Sequence, residues 1–171
     1  MKILYLIISL TTCIQLNLYA QKNEFKDDVK SIESIMAALT EVISGSGDKM
    51  RDWERFKNLF AEDAKLIPTQ KEESGKVTYA YWTPQQYQEM FIKNRSGQDF
   101  YEQELFRITE AYGNIAHCFS TYSVKLDKNG PVSRRGINSI QLLKDKDRWY
   151  IMSVFWTNET IDDALPDKYL D

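Results

Sequence analysis

The sequence has little of the residue types on which several kinds of site depend. It has one histidine and two cysteines among 171 residues. Zinc sites need closely spaced Cys and His ligands, so we expect no metal site, and no motif indicates a cofactor. The 22 basic residues do not outnumber the 25 acidic ones, and the formal net charge is -3. Because nucleic-acid phosphates require clustered basic side chains, the sequence predicts no nucleic-acid partner.

The chain also lacks an apolar run of about 20 residues, the length that a membrane-spanning helix needs. Its one apolar stretch is short, follows Lys2 and covers residues 3–10. A basic start, a short apolar stretch and a small residue at Ala20 are typical of a secretory signal peptide over residues 1–20. We therefore expect an exported protein, periplasmic or secreted, without a transmembrane segment.

Cys13 leaves a second possibility open at this end of the chain. Residues 10–13 resemble a bacterial lipoprotein box, in which the cysteine is lipidated, although Thr12 fits that pattern poorly. Simple cleavage after Ala20 is the expected event. Cys118 is then the one cysteine of the mature chain, which excludes an internal disulfide.

The remaining composition is that of an ordinary globular protein, with 43% hydrophobic, 27% charged and 13% aromatic residues. The length of residues 21–171 suits a single domain. Apolar residues at helical spacing predict helices over 25–43 and 49–60. Thr83 and Pro84 predict the start of a third helix, which ends near residue 96, because threonine is a good N-cap and proline suits the first helical position.

The second half of the sequence has the pattern of strands separated by turns. Short β runs are predicted over residues 64–68 and 77–82, followed by longer strands over 99–111, 114–126, 133–143 and 149–157. Turn signals at residues 127–131 and 144–147 separate the last three strands. Three helices followed mainly by strands predict an α+β fold, with an irregular tail over about 160–171.

Several stretches resemble a known superfamily. Residues 52–56 and 59–64 resemble the second helix and first strand of the nuclear transport factor 2-like (SnoaL-like, cystatin-like) superfamily. An exported, uncharacterised bacterial branch of it is resembled by residues 114–122, 135–143, 148–151, 155–156 and 168–170. The resemblance covers about residues 28–171 and implies three N-terminal helices packed on a strongly curved, mostly antiparallel sheet that forms a conical pocket. Ketosteroid isomerases, polyketide cyclases and pure binding domains share this fold, so the resemblance implies no particular reaction.

Strand alternation predicts which side chains enter the cone, because successive side chains point to opposite faces. One face holds Cys118, Ser120, Tyr122, Gly136, Asn138, Ile140, Met152, Val154 and Trp156, and the other holds His117, Phe119, Thr121, Ile137, Ser139, Gln141, Ile151 and Phe155. The end of the last strand resembles that of ketosteroid isomerases, where the second aromatic residue lines the active site. This resemblance makes the first face the interior. The predicted ligand-binding residues are Ser120, Tyr122, Asn138, Met152 and Trp156.

Such an interior suits a small, largely apolar ligand held by a few directional hydrogen bonds. The favoured hypothesis is a small-ligand-binding or interaction domain, with a homodimer through the outer face of the sheet as an option. The alternative is a small lyase, isomerase or cyclase that acts on an apolar ring compound. Its candidate acid/base groups are His117 and Tyr122, and Asn138 is the candidate oxyanion donor. The base that the isomerase resemblance implies is missing, because Ile67 occupies its position before Pro68.

Four residues have both a functional and a structural interpretation. His117 is either an acid/base group or a satisfied histidine on the sheet. Cys118 is expected to be a small core residue, since its neighbour His117 points to the opposite face and cannot activate it. Arg134 and Arg135 are adjacent in a strand, so one of them faces the cone, where it would favour an anionic ligand. A solvated arginine on the outside is the alternative.

Overall fold

Three α-helices form one layer of the molecule. The computed structural model describes residues 25–170, and within them the helices are α1 (Ile32–Ile43), α2 (Trp53–Asn58) and α3 (Pro84–Arg95). All three predicted helices are present. The first two begin later than the apolar periodicity suggested, because polar caps fix their starts.

Side chains at the N-caps explain where the helices begin. The Ser31 side chain accepts a hydrogen bond from the backbone N–H of Ser34, and the Ser34 side chain accepts one from the backbone N–H of Ser31, so α1 begins with a capping box. Asp52 caps α2 by accepting from the Arg55 N–H. Thr83 caps α3 as predicted, with Pro84 at the first helical position.

Six strands form the second layer. They are β1 (Phe60–Lys71), β2 (Val77–Tyr79), β3 (Tyr101–Tyr112), β4 (Ile115–Lys125), β5 (Val132–Asp145) and β6 (Arg148–Asn158). The sheet has the order β2-β1-β6-β5-β4-β3. All neighbouring pairs are antiparallel except β1 and β6, which are parallel. The fold is thus α+β with a mostly antiparallel, curved sheet, as the sequence predicts.

The core lies between the helices and the concave face of the sheet. Phe56 of α2 and Ile35 of α1 are completely buried there, together with Leu59, which follows α2. From the sheet, the fully or almost fully buried side chains are Cys118, Val124, Ile140, Leu142 and Ile151. Aromatic side chains form a large part of this core. The Phe56 ring stacks on the Tyr87 ring with centroids 5.4 Å apart, and its centroid lies 4.8 Å from that of the Phe60 ring. Burial of these side chains supplies most of the driving force for folding.

The C-terminal tail, predicted to be irregular, packs on the outer face of the sheet. A short 3₁₀ turn, Asp167–Tyr169, brings the Tyr169 ring 5.0 Å from that of Phe119. The Thr121 hydroxyl donates to the Tyr169 carbonyl oxygen at 2.6 Å and is almost fully buried. Arg135 and Glu159 form a bidentate ion pair at the point where the tail leaves β6. Part of the outer face is therefore covered by the chain itself.

Within the described residues, none of the helices has the length and hydrophobicity that crossing a bilayer demands. The predicted signal peptide and Cys13 lie outside the described residues.

Candidate functional site

Cross-strand pairing brings the predicted interior residues together on the concave face. Asn138 of β5 pairs with Ser120 of β4 on one side and with Trp156 of β6 on the other. One pair further along, Gly136 lies between Tyr122 and Asn158. Directly paired residues point to the same face of a sheet. On β4 and β5, the structure therefore assigns the side chains to the two faces as the sequence predicts.

A cavity of about 260 Å³ lies between this face and the helices. Its walls are mainly aromatic and aliphatic: Leu39, Ile43, Phe56, Leu66, Trp82, Tyr87, Met90, Phe91, Phe100, Val154 and Trp156. Trp82, Tyr87 and Trp156 contact one another with ring centroids 6.3 to 6.5 Å apart. Asn94 and Asn158 also line the cavity and are exposed, so the cavity reaches the surface beside them. The volume is slightly below the roughly 300–1,000 Å³ of typical ligand pockets, which suits a molecule of one or two rings.

A carboxyl group enters this apolar cavity from β3. Glu102 lines the cavity, and burial raises its pKa to about 7, although Arg134 and the Asn138 amide favour the charged form. Removing a carboxylate from water disfavours its charge, and here that effect exceeds the attraction of the neighbouring arginine. A carboxyl pKa raised to near neutrality lies in the range in which acid/base groups of enzymes work.

Two arginines lie at the same end of the cavity. Arg95 comes from the last turn of α3 and Arg134 from β5, and both are half-buried. Their guanidinium carbons lie 5.0 Å and 5.7 Å from the centroid of the Phe100 ring. Burial, and then the charge of Arg134, lower the pKa of Arg95. Arg134 is the cavity-facing member of the adjacent arginine pair, while Arg135 binds Glu159 in the tail.

A tyrosine and a glycine shape the cavity between these polar groups. The Tyr122 hydroxyl donates to the Asn158 side-chain oxygen at 2.8 Å. Burial raises the pKa of Tyr122 above its ordinary value, with the charge of Glu102 adding to the effect. Gly136 makes room for this ring, because a Cβ there would lie 2.6 Å from the Tyr122 hydroxyl oxygen and 2.2 Å from the Thr157 carbonyl oxygen. Tyr122 is therefore a neutral hydrogen-bonding group at neutral pH.

Three of the five predicted ligand-binding residues line the cavity: Tyr122, Asn138 and Trp156. Ser120 shares their face but does not line the cavity; it is buried, and its hydroxyl donates to the Glu104 carboxylate at 2.9 Å. The prediction that Met152 points into the cone is wrong. A β-bulge shifts the register between Leu142 and Gln141, so Ile151 takes the buried position and Met152 is 38% exposed.

His117 and Cys118, the other residues with a functional interpretation, lie outside the cavity. His117 is on the outer face, where its Nε2 lies 3.0 Å from the Ser139 hydroxyl oxygen. Cys118 is completely buried, with its sulfur 3.7 Å from the Thr109 hydroxyl, and burial raises the pKa of its thiol. Neither residue contacts the groups described above, so a thiol nucleophile or a histidine base in this cavity has no geometric support.

Sequence reasoning missed Glu102 and Arg95. Glu102 pairs with Val124, which lies two residues after Tyr122 and therefore points to the same face of β4. Applying the alternation rule to β3 as well would have predicted that Glu102 points into the cone. Arg95 ends a helix whose outward face is polar, and nothing in its spacing distinguishes it from solvated neighbours such as Lys93. Among the described residues, no group of three or more His, Cys, Asp or Glu side chains is placed to hold a metal ion.

Comparisons with known proteins identify the fold. No family model matches the sequence, and no curated protein matches it. Solved structures do match. A Nostoc punctiforme protein of unknown function with a cystatin-like fold has a TM-score of 0.57 at 14% identity, over 76% of this chain and 90% of that one. The chain has the nuclear transport factor 2-like fold.

Two further structures with this nuclear transport factor 2-like fold carry functional descriptions. A proposed ketosteroid isomerase from Parabacteroides distasonis matches with a TM-score of 0.54 at 14% identity, over 81% of this chain and 99% of that one. The beta subunit of a proposed aromatic-ring-hydroxylating dioxygenase from Novosphingobium aromaticivorans has a TM-score of 0.59 at 14% identity, over 76% of this chain and 88% of that one. At such identities the likeness establishes the fold alone, and function has to be argued from the cavity.

Proposed function

We propose that this protein binds a small, largely apolar molecule inside the cone. The observation that carries the proposal is the cavity itself, whose mainly aromatic and aliphatic walls include a few polar groups. Ligand pockets generally combine apolar walls with a few directional polar groups in this way. Asn138, Tyr122 and Glu102 supply those groups, and Trp82 and Trp156 supply flat apolar surface for a ring.

Native mass spectrometry of protein purified gently from an exporting host tests this proposal. We expect a reproducible extra mass, or saturation-transfer NMR signals from a library of one- and two-ring compounds. Trp156→Ala should abolish binding, because the indole forms part of the wall. Phe155→Ala is the matched control, since Phe155 is the preceding residue and lies on the outer face. Equal binding by the two variants would contradict a ligand site in the cone.

A second candidate function is acid/base catalysis on an apolar ring compound by a lyase, isomerase or cyclase. The specific observation in its favour is Glu102, a carboxyl group with a pKa of about 7 in the same cavity as Asn138 and Tyr122. Such a group removes a proton from a substrate and returns it, while an amide or a neutral tyrosine hydroxyl stabilises an oxyanion. Turnover that Glu102→Gln abolishes and Glu104→Gln retains would support this function.

Export and self-association complete the proposal. Residues 1–20 support export, and the mass of the mature chain would decide between cleavage after Ala20 and lipidation of Cys13.

The part of the outer face that the tail leaves open carries exposed aromatic residues, among them Tyr79 at 66% and Phe155 at 47% exposure. Exposed apolar patches favour association, so we expect a homodimer through this face. Sedimentation of the wild type and of Phe155→Asp would test it, with a monomeric wild type as the contradicting result.

A further inference from the structure

The two arginines at the Phe100 end of the cavity have no acidic partner among the described residues. Within residues 25–170, no carboxylate oxygen lies within 4.0 Å of the nitrogens of Arg95 or Arg134. Both are half-buried and lie close to one aromatic ring, and the charge of Arg134 disfavours the charged form of Arg95. Charges that are partly removed from water in proteins are stabilised by partners of opposite charge. The described residues supply no such partner for Arg95 or Arg134.

Glu102 does not balance this charge. It is the one acidic residue that lines the cavity within the described part of the chain. Even when it is fully ionised, it supplies one negative charge against the two positive charges of Arg95 and Arg134, and burial raises its pKa to about 7. The polar end of the cavity therefore keeps an excess of positive charge.

We propose that the ligand is a small ring compound with one carboxylate group, and that Arg95 and Arg134 bind this carboxylate beside the Phe100 ring. This inference rests on the proposed ligand-binding function and adds the chemical class of the ligand. The apolar body of such a molecule lies against Trp82, Tyr87 and Trp156. Guanidinium groups match the planar carboxylate geometrically. A phosphate monoester fits less well, because its second negative charge would lie near Glu102.

Glu102 then makes binding dependent on pH. The groups around it are Arg134 and Asn138 on β5, Tyr122 on β4, and Arg95 and Tyr87 on α3. A bound carboxylate repels the ionised form of Glu102 and favours the protonated form. Affinity for the carboxylate should therefore fall as the pH rises through about 7, and Glu102→Gln should remove this dependence.

The experiment compares aromatic carboxylates with their neutral amides on the full mature protein. Isothermal titration calorimetry at pH 6 would measure 2-naphthoate against 2-naphthamide and 3-phenylpropanoate against 3-phenylpropanamide. A hydrogen bond to a charged group contributes about 1.5–3 kcal/mol, which predicts that each carboxylate binds about 10- to 100-fold more tightly than its amide. Arg134→Gln should abolish this preference. Arg135→Gln is the matched control and should keep it, because Arg135 points to the outer face.

The outcomes separate this inference from the function on which it rests. Equal affinity for carboxylates and amides would overturn the carboxylate site and leave a cavity that binds apolar molecules. Tighter binding of phenyl phosphate than of benzoate would also overturn it. Failure of both members of every pair to bind would contradict the ligand-binding function too. Arg95→Gln and the pH dependence provide the same test if Arg134→Gln does not fold.

Discussion

Replacement of Glu102 by glutamine tests whether the cavity holds a carboxyl group that resists ionisation. Glutamine has nearly the same shape and keeps a hydrogen-bonding end, but it carries no charge at any pH. If burial raises the pKa of Glu102 in the folded protein, the wild type becomes less stable relative to this variant as the carboxyl ionises. The quantity of interest is therefore the difference in unfolding free energy between the two proteins as a function of pH.

The sign and size of that difference follow from the two pKa values. The ordinary value is 4.5, and the folded protein raises it to about 7. Below pH 4.5 the carboxyl is protonated in both the folded and the unfolded chain, so its contribution to stability is fully present. Between pH 4.5 and 7 the folded protein binds the proton more tightly, and that contribution is lost as the pH rises. At ~1.36 kcal/mol for each pH unit, the loss is on the order of 3 kcal/mol by pH 8.

Urea unfolding measures this effect at pH 4, 5, 6, 7 and 8, with the fluorescence of the four tryptophans as the signal. We expect Glu102→Gln to gain on the order of 3 kcal/mol over the wild type between pH 4 and pH 8. Glu110→Gln is the control, because Glu110 lies on the exposed part of the same strand. Its difference from the wild type should stay within about 0.5 kcal/mol at every pH. A Glu102→Gln difference that is equally flat would refute the reasoning.

Three further predictions concern packing. Gly136→Ala should destabilise the protein by about 1–3 kcal/mol in urea unfolding, because the new Cβ would meet the Thr157 carbonyl oxygen at 2.2 Å and the Tyr122 hydroxyl at 2.6 Å; an unchanged midpoint would contradict this strand pairing. Phe56→Ala should cost about 3–5 kcal/mol, since Phe56 is completely buried among other rings; a loss below about 1 kcal/mol would place it outside the core. Cys118 should react with a thiol reagent only at the rate of global unfolding, and rapid labelling of the native protein would show that its strand is not buried as described.

The order and type of the elements could be predicted because local signals mark their ends. Thr83 and Pro84 mark the start of α3, and residues 127–131 and 144–147 mark the turns of the last two hairpins. The hairpins also set the register between β4 and β5, which is why Tyr122 and Asn138 were correctly assigned to one face. The parallel pairing of β1 with β6 has no such signal, since those strands are far apart in sequence.

The error at Met152 shows the limit of reasoning from alternation. One extra residue in β6 reverses the faces of everything beyond it, and the sequence around Ser153 has no glycine or proline to mark the bulge. A second bulge lies between Glu104 and Phe106 in β3. The position of a bulge depends on packing against the helices and on cross-strand contacts. Residues on the far side of a bulge, such as Ile151, can therefore be assigned only from the three-dimensional structure.

The two candidate functions require opposite behaviour from the same carboxyl group, and this makes them separable. As the base of an isomerase or lyase, Glu102 has to ionise, and Glu102→Gln abolishes turnover while leaving binding unchanged. In a carboxylate-binding cavity, the ionised form opposes the ligand, so Glu102→Gln should bind anions as tightly as or more tightly than the wild type above pH 7. The arginines discriminate in the same way. Arg134→Gln removes the anion preference in the binding hypothesis, whereas in the catalytic hypothesis it raises the pKa of Glu102 further and shifts the pH profile of turnover upward.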